Sequence, residues 1–389
     1  MRSKYSKNIL LISTYLLVFF FKLNLLASEP TKVVYGGFSY GTNLPEKSLF
    51  KTLGLSNELF SINNKLKTAI QKINNSSFVI KLEDLKVENK DPENQIVMVI
   101  ALDDENIFDT IMGDVHITNA SLTFRIIFFN AYNNTLVASI PIEIWQDIQS
   151  YKKNNSQAAK IEMIKKMYEA FLDEYVSILN NFELKKKYNL RIGIKNLNIE
   201  DDALKKMPAK LQKDFFIKEK FATSFSAFIS KNNNVALVPF SMDRTGSTLK
   251  AKFQDQEITI KFPDPDYYID VNIKKLVRFE DKKNKKATNQ VFYYGSGIEF
   301  KVYQPDTKKT VIQGYMKRVT TQILPDNIEK STFKNFEWFF YNNSLKALFK
   351  KISEQTPKSD TKWIKTSTES DLKLTKAFKE LNEVYQKCR

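Results

Sequence analysis

The chain has one cysteine and one histidine in 389 residues. A single cysteine, Cys388, excludes an intrachain disulfide and any Cys-x-x-Cys metal or redox site. A single histidine, His116, removes most of the familiar catalytic constellations, which need a second group to orient the imidazole or share a metal with it. In "GDVHITNA" it reads as a hydrogen-bonded histidine at a strand end. Other signatures are missing as well. "YYGSG" (Tyr293–Gly297) lacks the order of a nucleophile elbow and reads as a bulge or turn in a hairpin strand. "VYGGF" (Val34–Phe38) is a glycine pair in a strand; no Lys-Ser/Thr follows it, so it is no phosphate loop. The acidic groups Asp103-Asp104-Glu105, Glu200-Asp201-Asp202 and Asp264/Asp266 lack the grammar of a calcium loop. No arginine-rich or aromatic-interleaved segment accompanies the basic charge, which argues against nucleic acid as a partner. The residues point to no cofactor and no metal.

What is present describes a globular protein long enough for two domains, with 42% hydrophobic and 27% charged residues. The formal net charge is +16, a quarter of it from Arg2, Lys4, Lys7 and Lys22. The excess is diffuse, with one dense run at Glu280–Gln290. It reads chiefly as a solvated lysine-rich surface. An anionic lipid or cell-wall polymer surface is the partner class it would favour.

The first 27 residues have the parts of an export signal. Arg2, Lys4 and Lys7 form a basic start, Ile9–Phe21 an apolar core, and Ala27 offers a small residue before Ser28. Cleavage there places the mature chain in the periplasm or envelope. The rival reading is an uncleaved anchor over Ile9–Ala27, with Lys22 near the interface.

The rest of the chain reads as one unit used twice, over 28–187 and 188–355. Each half opens on a short strand, Lys32–Phe38 or Leu190–Lys195. A long helix follows, with stripes at Leu55, Leu59, Ile62, Leu66, Ala69, Ile73 and at Leu211, Phe215, Phe221, Phe225, Phe228. Next come an Asn-rich break with a short strand, then "QIVMVIALDD" or "YYIDVNIKKLVRF". A hairpin turns at Asn133-Asn134 or at Pro305-Asp306. Each half ends on a helix with identical apolar steps: Ile161, Ile164, Tyr168, Phe171, Tyr175, and Trp338, Tyr341, Leu345, Leu348, Ile352. The fold class is α+β, two tandem domains, each a mainly antiparallel sheet packed by two helices. An insertion at Ser241–Asp266 carries a further hairpin. Residues 356–389 read as a polar linker and a C-terminal helix that docks on the second domain.

This order of elements resembles a group of bacterial envelope domains. They occur in the curli secretion-channel lipoprotein, in the lipoprotein activators of penicillin-binding proteins and at the N-terminus of the Tol-system β-propeller protein. "VPFSMDRTG" (Val238–Gly246) is similar to the strand-then-DxTG wording of the curli-type members, here after a later strand. The resemblance implies domains that bind other envelope proteins and do no chemistry.

The densest aromatic segment is "FKNFEWFFYNN". Phe333, Phe336, Trp338, Phe339 and Tyr341 cannot share one helical stripe. Some face the core, and the rest form a candidate partner surface. The function expected is a non-catalytic exported scaffold or adaptor of an envelope assembly. The alternatives are a carboxylate-dependent enzyme acting on cell wall or lipid, and a carrier of an apolar ligand.

Overall fold

The computed structural model describes residues 29–40, 56–82, 95–112, 115–150, 157–240, 248–253, 256–281, 289–325, 330–358, 360–368 and 371–389. The export signal, the DxTG-like residues and the core of the lysine run at 282–288 lie outside them.

The protein is α+β and is built on two mixed sheets. Strands β1 (Thr31–Tyr40), β2 (Phe78–Lys81), β3 (Ile96–Met112), β4 (Val115–Asn130) and β5 (Thr135–Ser150) stand in the order β2-β1-β3-β4-β5. Strands β6 (Ile192–Ile199), β7 (Leu237–Val238), β10 (Tyr267–Glu280), β11 (Asn289–Gln304) and β12 (Lys309–Pro325) repeat that order as β7-β6-β10-β11-β12. In each sheet the first three strands run parallel and the last three form an antiparallel meander.

The repetition extends to the irregularities. Gly36 in β1 and Lys195 in β6 are each skipped in the pairing with the next long strand, at the same distance from the start of the register. Asp103 in β3 and Lys274 in β10 are skipped at equivalent positions. So are Val137 in β5 and Val311 in β12. Both hairpins close with four residues, and the last of them has positive φ: Asn134 at 55° and Lys308 at 55°. Bulges are features that a fold keeps because each one re-aims the side chains beyond it. At "VYGGF" the bulge needs glycine, since Gly37 has φ 104°. "YYGSG" is itself regular strand; the bulge beside it is Lys274 on the neighbouring β10.

Helices α1 (Ser56–Ile70) and α2 (Gln157–Asn181) cover the inner face of the first sheet. Ile62, Leu66, Met163, Phe171 and Tyr175 pack there on Met98, Ile100, Phe124 and Phe128, and Phe171 stacks on Phe124 with ring centroids 3.7 Å apart. In the second half the single helix expected from Leu211 to Phe228 is broken. Two short turns, α3 (Asp201–Leu204) and α4 (Ala209–Gln212), precede α5 (Ile217–Asn233). The Asp214 carboxylate accepts the Phe216 backbone N–H at 2.9 Å, a local bond that competes with helix. Phe215, assigned to the apolar stripe, is therefore 67% exposed. Helix α6 (Lys330–Lys358) completes the second core, with Phe349 stacked on Phe225.

The residues expected to form a polar linker are largely helical. Asp360 caps α7 (Thr361–Ser367) by accepting the Trp363 N–H. Helix α8 (Asp371–Cys388) docks on the second sheet, burying Leu374, Phe378, Leu381 and Tyr385. Gly314 on β12 leaves room for Leu374, whose methyl carbons would stand 3.1 Å from a Cβ there. The insertion does form a hairpin, β8 (Thr248–Phe253) and β9 (Gln256–Lys261), but it joins the first sheet: Thr135 pairs with Lys261. Its Ile260 lies over Val97, Val99, Ile127 and Phe129 on the outer face.

Candidate functional site

Helix α5 positions the site because it is buried on two sides. Phe221, Phe225 and Ile229 face the second core, while Ala222, Thr223, Ser226, Ala227 and Ser230 are buried on the adjoining stripes. Small side chains let the helix approach the outer face of the first sheet, where it packs against β5. A helix with two buried sides has only a weakly amphipathic sequence, so the stripe alone could not reveal this packing.

The contact is polar. The bulge in β3 turns Asp103 and Asp104 to the same face. Asp103 accepts a 2.8 Å ion pair from Arg125, itself almost fully buried, and Arg125 reaches Thr223 of α5 at 3.5 Å. Lys220 of α5 lies 3.3 Å from both Asp104 and Asp214. Burial holds the Asp103, Asp104 and Glu219 carboxyls above the usual range, against the pull of Arg125 and Lys220. Desolvation pulls the Lys220 ammonium down, but Asp104 and Asp214 outweigh it and keep it above its ordinary value.

Farther along β5, Glu143 is engaged at both oxygens. Lys346 of α6 donates to one at 2.6 Å and Ser224 of α5 to the other at 2.6 Å. The side chains of Lys346 and Glu143 are only 12% and 7% exposed. At the sheet edge, Arg191 donates to the Val137 carbonyl at 3.1 Å. Lys231 of α5 pairs with Glu174 of α2 at 2.7 Å.

Two open clefts flank the Glu143–Lys346 pair. One, of about 480 Å³, is walled by β5, α2, α5 and α6, with Trp145, Glu174, Lys231, Arg318 and Lys350 on its sides. The other, of about 210 Å³, is lined by Asn106, Phe108, Asn119, Lys220, Trp338 and Phe339 among others. Glu143 and Glu174, which project into the larger cleft, are each held by a lysine across the join. A carboxylate held in this way acts as a joint between elements. Among the described residues no group of three or more His, Cys, Asp or Glu side chains could hold a metal ion.

The residues singled out in the sequence are mostly elsewhere. Trp338, Phe339 and Tyr341 are 7%, 6% and 2% exposed and belong to the second core. They offer no exposed partner surface, because the inner face of a long sheet needs large side chains to fill it. Trp338 and Phe339 also line the smaller cleft. Phe333 and Phe336 fall in the first turns of α6, where the side chains lie outside the described residues. His116 is the second residue of β4, opposite Ile111 and Ser150; its side chain also lies outside them. Asp104, weighed above only for a calcium loop, binds Lys220 of α5 across the join, while its neighbour Asp103 pairs with Arg125 inside the first sheet. Of the other acidic residues, Glu200 pairs with Lys274 at 3.4 Å and Asp266 accepts the Arg191 backbone N–H at 2.7 Å. Cys388 is buried, and burial raises its thiol pKa to about 12.

Comparison with known proteins gives no family. No family model matches the chain, and no curated protein matches it. Solved structures match parts of it at low similarity. A homolog of the neuraminyllactose-binding hemagglutinin from Helicobacter pylori is 12% identical, covering 40% of this chain and 85% of its own, with a TM-score of 0.27. A minor lipoprotein from Acinetobacter baumannii is 9% identical, covering 43% and 92%, with a TM-score of 0.23. A lipoprotein from Neisseria meningitidis is 8% identical, covering 38% and 99%, with a TM-score of 0.18. Among the described residues no helix is long and apolar enough to cross a membrane.

Proposed function

We propose that the protein is an exported, non-catalytic scaffold or adaptor of a bacterial envelope assembly, with other envelope proteins as its partners. The observation that carries this reading is the use made of charge at the join. Glu143, Glu174, Asp103 and Asp104 each hold a basic partner there. Three of these pairs, at Glu143, Glu174 and Asp104, tie α5 and α6 to the first half, while Asp103 holds Arg125 within the first sheet beside α5. Export rests on the basic start, apolar core and Ala27 of the N-terminal segment. Crosslinking in intact cells, followed by fractionation and mass measurement, tests both parts. The expected result is a chain beginning near Ser28 in the envelope fraction, linked reproducibly to a small set of envelope proteins. A chain that stays in the cytoplasm would remove export. If Glu174→Gln abolished function while folding, export and the crosslinked neighbours were unchanged, the enzyme reading would take precedence.

A further inference from the structure

The outer face of the first sheet is covered by α5, α6 and the β8–β9 hairpin, and its outer edge meets β9. Among the described residues, the equivalent half of the second sheet has neither cover. On its outer face Phe279, Val319 and Ile323 are 61%, 55% and 66% exposed. They form one patch, since Phe279 pairs with Tyr293, Tyr293 with Thr321, and Val291 with Ile323.

Among the described residues the edge of β12 has no strand partner over the same residues. Thr368 pairs with Met316 and α8 packs on the strand. Beyond Met316, among the described residues, no strand pairs with this edge. Proteins ordinarily blunt such an edge with charge, proline or brevity. Here the other edges are short: β2 has four residues, β7 two, and β8 six with Lys250 and Lys252 among them. The stretch of β5 that corresponds to Val319–Leu324 reads Trp145-Gln-Asp147-Ile-Gln-Ser and carries a charge. In β12 it reads Val-Thr-Thr-Gln-Ile-Leu, six uncharged residues suited to strand pairing, with Lys317 and Arg318 before them and Pro325 after.

That stretch is also self-complementary. A two-fold axis through Thr321, in antiparallel register, sets Val319 against the partner's Ile323 and Ile323 against the partner's Val319. Thr320 then faces Gln322, Arg318 faces Leu324 and Lys317 faces Pro325. No like charges oppose each other, and the two most exposed apolar residues of the strand cover each other twice. The exposed faces of α1 and α2 are too polar to cover this patch in a head-to-tail chain: Lys65, Lys67, Glu162, Lys166 and Glu169 stand on them. An isologous pairing needs no second surface.

We propose that two copies of this chain pair through the Val319–Leu324 edge of β12, forming one continuous ten-stranded sheet across a two-fold axis at Thr321. The inference is independent of where the protein resides. Because Thr321 meets its own counterpart on the axis, one position supplies the whole test. The purified chain should be dimeric by light scattering at about 100 μM, a concentration at which a dimer with micromolar Kd is formed. Thr321→Lys or Thr321→Glu alone should raise the dissociation constant about tenfold or more, since like charges then lie directly opposite. An equimolar mixture of the two variants should restore dimers. Thr321→Cys should form an interchain disulfide under mild oxidation, because directly opposed residues of paired antiparallel strands have Cα atoms about 4.5–5.5 Å apart, within the span a disulfide bridges; the native Cys388 is buried and stays silent. A monomer at the highest concentration would overturn the proposal. So would a dimer that tolerates both charges equally, or one in which Phe279→Cys crosslinks and Thr321→Cys does not, which would mean that the faces pack instead of the edges.

Discussion

Replacing Arg125 by methionine should destabilise the covered outer face of the first sheet, where Arg125 pairs with Asp103 and reaches Thr223 of α5. The substitution keeps an unbranched apolar stem and removes the cation. Asp103 then sits on the covered outer face with no partner. Breaking a buried pair by deleting one member costs about 3–5 kcal/mol, since the remaining charge is stranded. Burial already holds the Asp103 carboxyl above its ordinary value of 3.8, with Arg125 opposing the rise. A carboxyl raised on folding binds its proton more tightly in the native state. Its contribution is complete below 3.8 and is lost as pH rises through the folded value. Without Arg125 the folded value climbs further, and the loss covers a wider pH range. Urea denaturation followed by tryptophan fluorescence should therefore show the largest deficit at pH 8 and a smaller one at pH 5. Adding Asp103→Asn to the variant should recover most of the deficit and flatten its pH dependence. A cost below about 1 kcal/mol at pH 8, the size of an exposed pair, would refute the reasoning. So would a deficit that is the same at both pH values.

Lys308 closes the second hairpin at φ 55°, where a lysine is strained; Lys308→Asn, the residue type at the equivalent position 134, should stabilise by about 0.5–1 kcal/mol in the same denaturation assay. A Cβ at Gly193 would lie 2.9 Å from the Val238 backbone oxygen, so Gly193→Ala should destabilise by about 1–3 kcal/mol, with the loss of protection in amide exchange centred on β6 and β7. His116→Gln should leave folding, export and complementation of a deletion strain intact, with a stability change of about 1 kcal/mol or less. Normal folding with complete loss of complementation would instead place His116 in a working site.

The repetition was legible because its carriers are local. Alternation in Ile269–Ile273, the asparagines at 133 and 134, and the matched steps of α2 and α6 each report on neighbours in the chain. The join was not legible, for a physical reason. Asp103 and Asp104 reach the same face only because a bulge intervenes, and a bulge leaves no mark in period-two alternation. Ala222, Thr223, Ser226 and Ser230 look like weak solvent-facing positions, yet they line the second buried side of α5. The aromatic run at 333–341 misled in the opposite direction. Its density implied a surplus beyond one stripe, but the inner face of a long meander absorbs Trp338, Phe339, Phe340 and Tyr341. The polar segment after Gln355 was read as linker from composition, whereas one cap at Asp360 is enough to start a helix there.

Two copies of one topology need not have interchangeable surfaces, and here the equivalent bulges show how they diverge. At the first bulge Asp103 turns toward Arg125 and is covered by α5; at the second, Lys274 turns to solvent, 3.4 Å from Glu200 and 3.2 Å from Glu299. The same backbone irregularity thus supplies a buried joint in one sheet and a surface ion pair in the other. Beyond the bulges the contrast reverses. Asn106, Asn119 and Ser121 on the covered face correspond to Val277, Tyr293 and Gly295 on the open one, while Phe108 corresponds to Phe279. Polar groups on the covered face are met by partners: Asn119 donates to Asp147 of β5, and Lys220, Ser224 and Lys346 of α5 and α6 reach Asp104 and Glu143. The open face has lost that polar inventory and kept its aromatic residue. Within one chain, then, covering has gone with polarity and openness with apolarity. That is the reverse of what solvent alone would select, and it is the pattern expected if the open half of the second sheet is closed by another molecule.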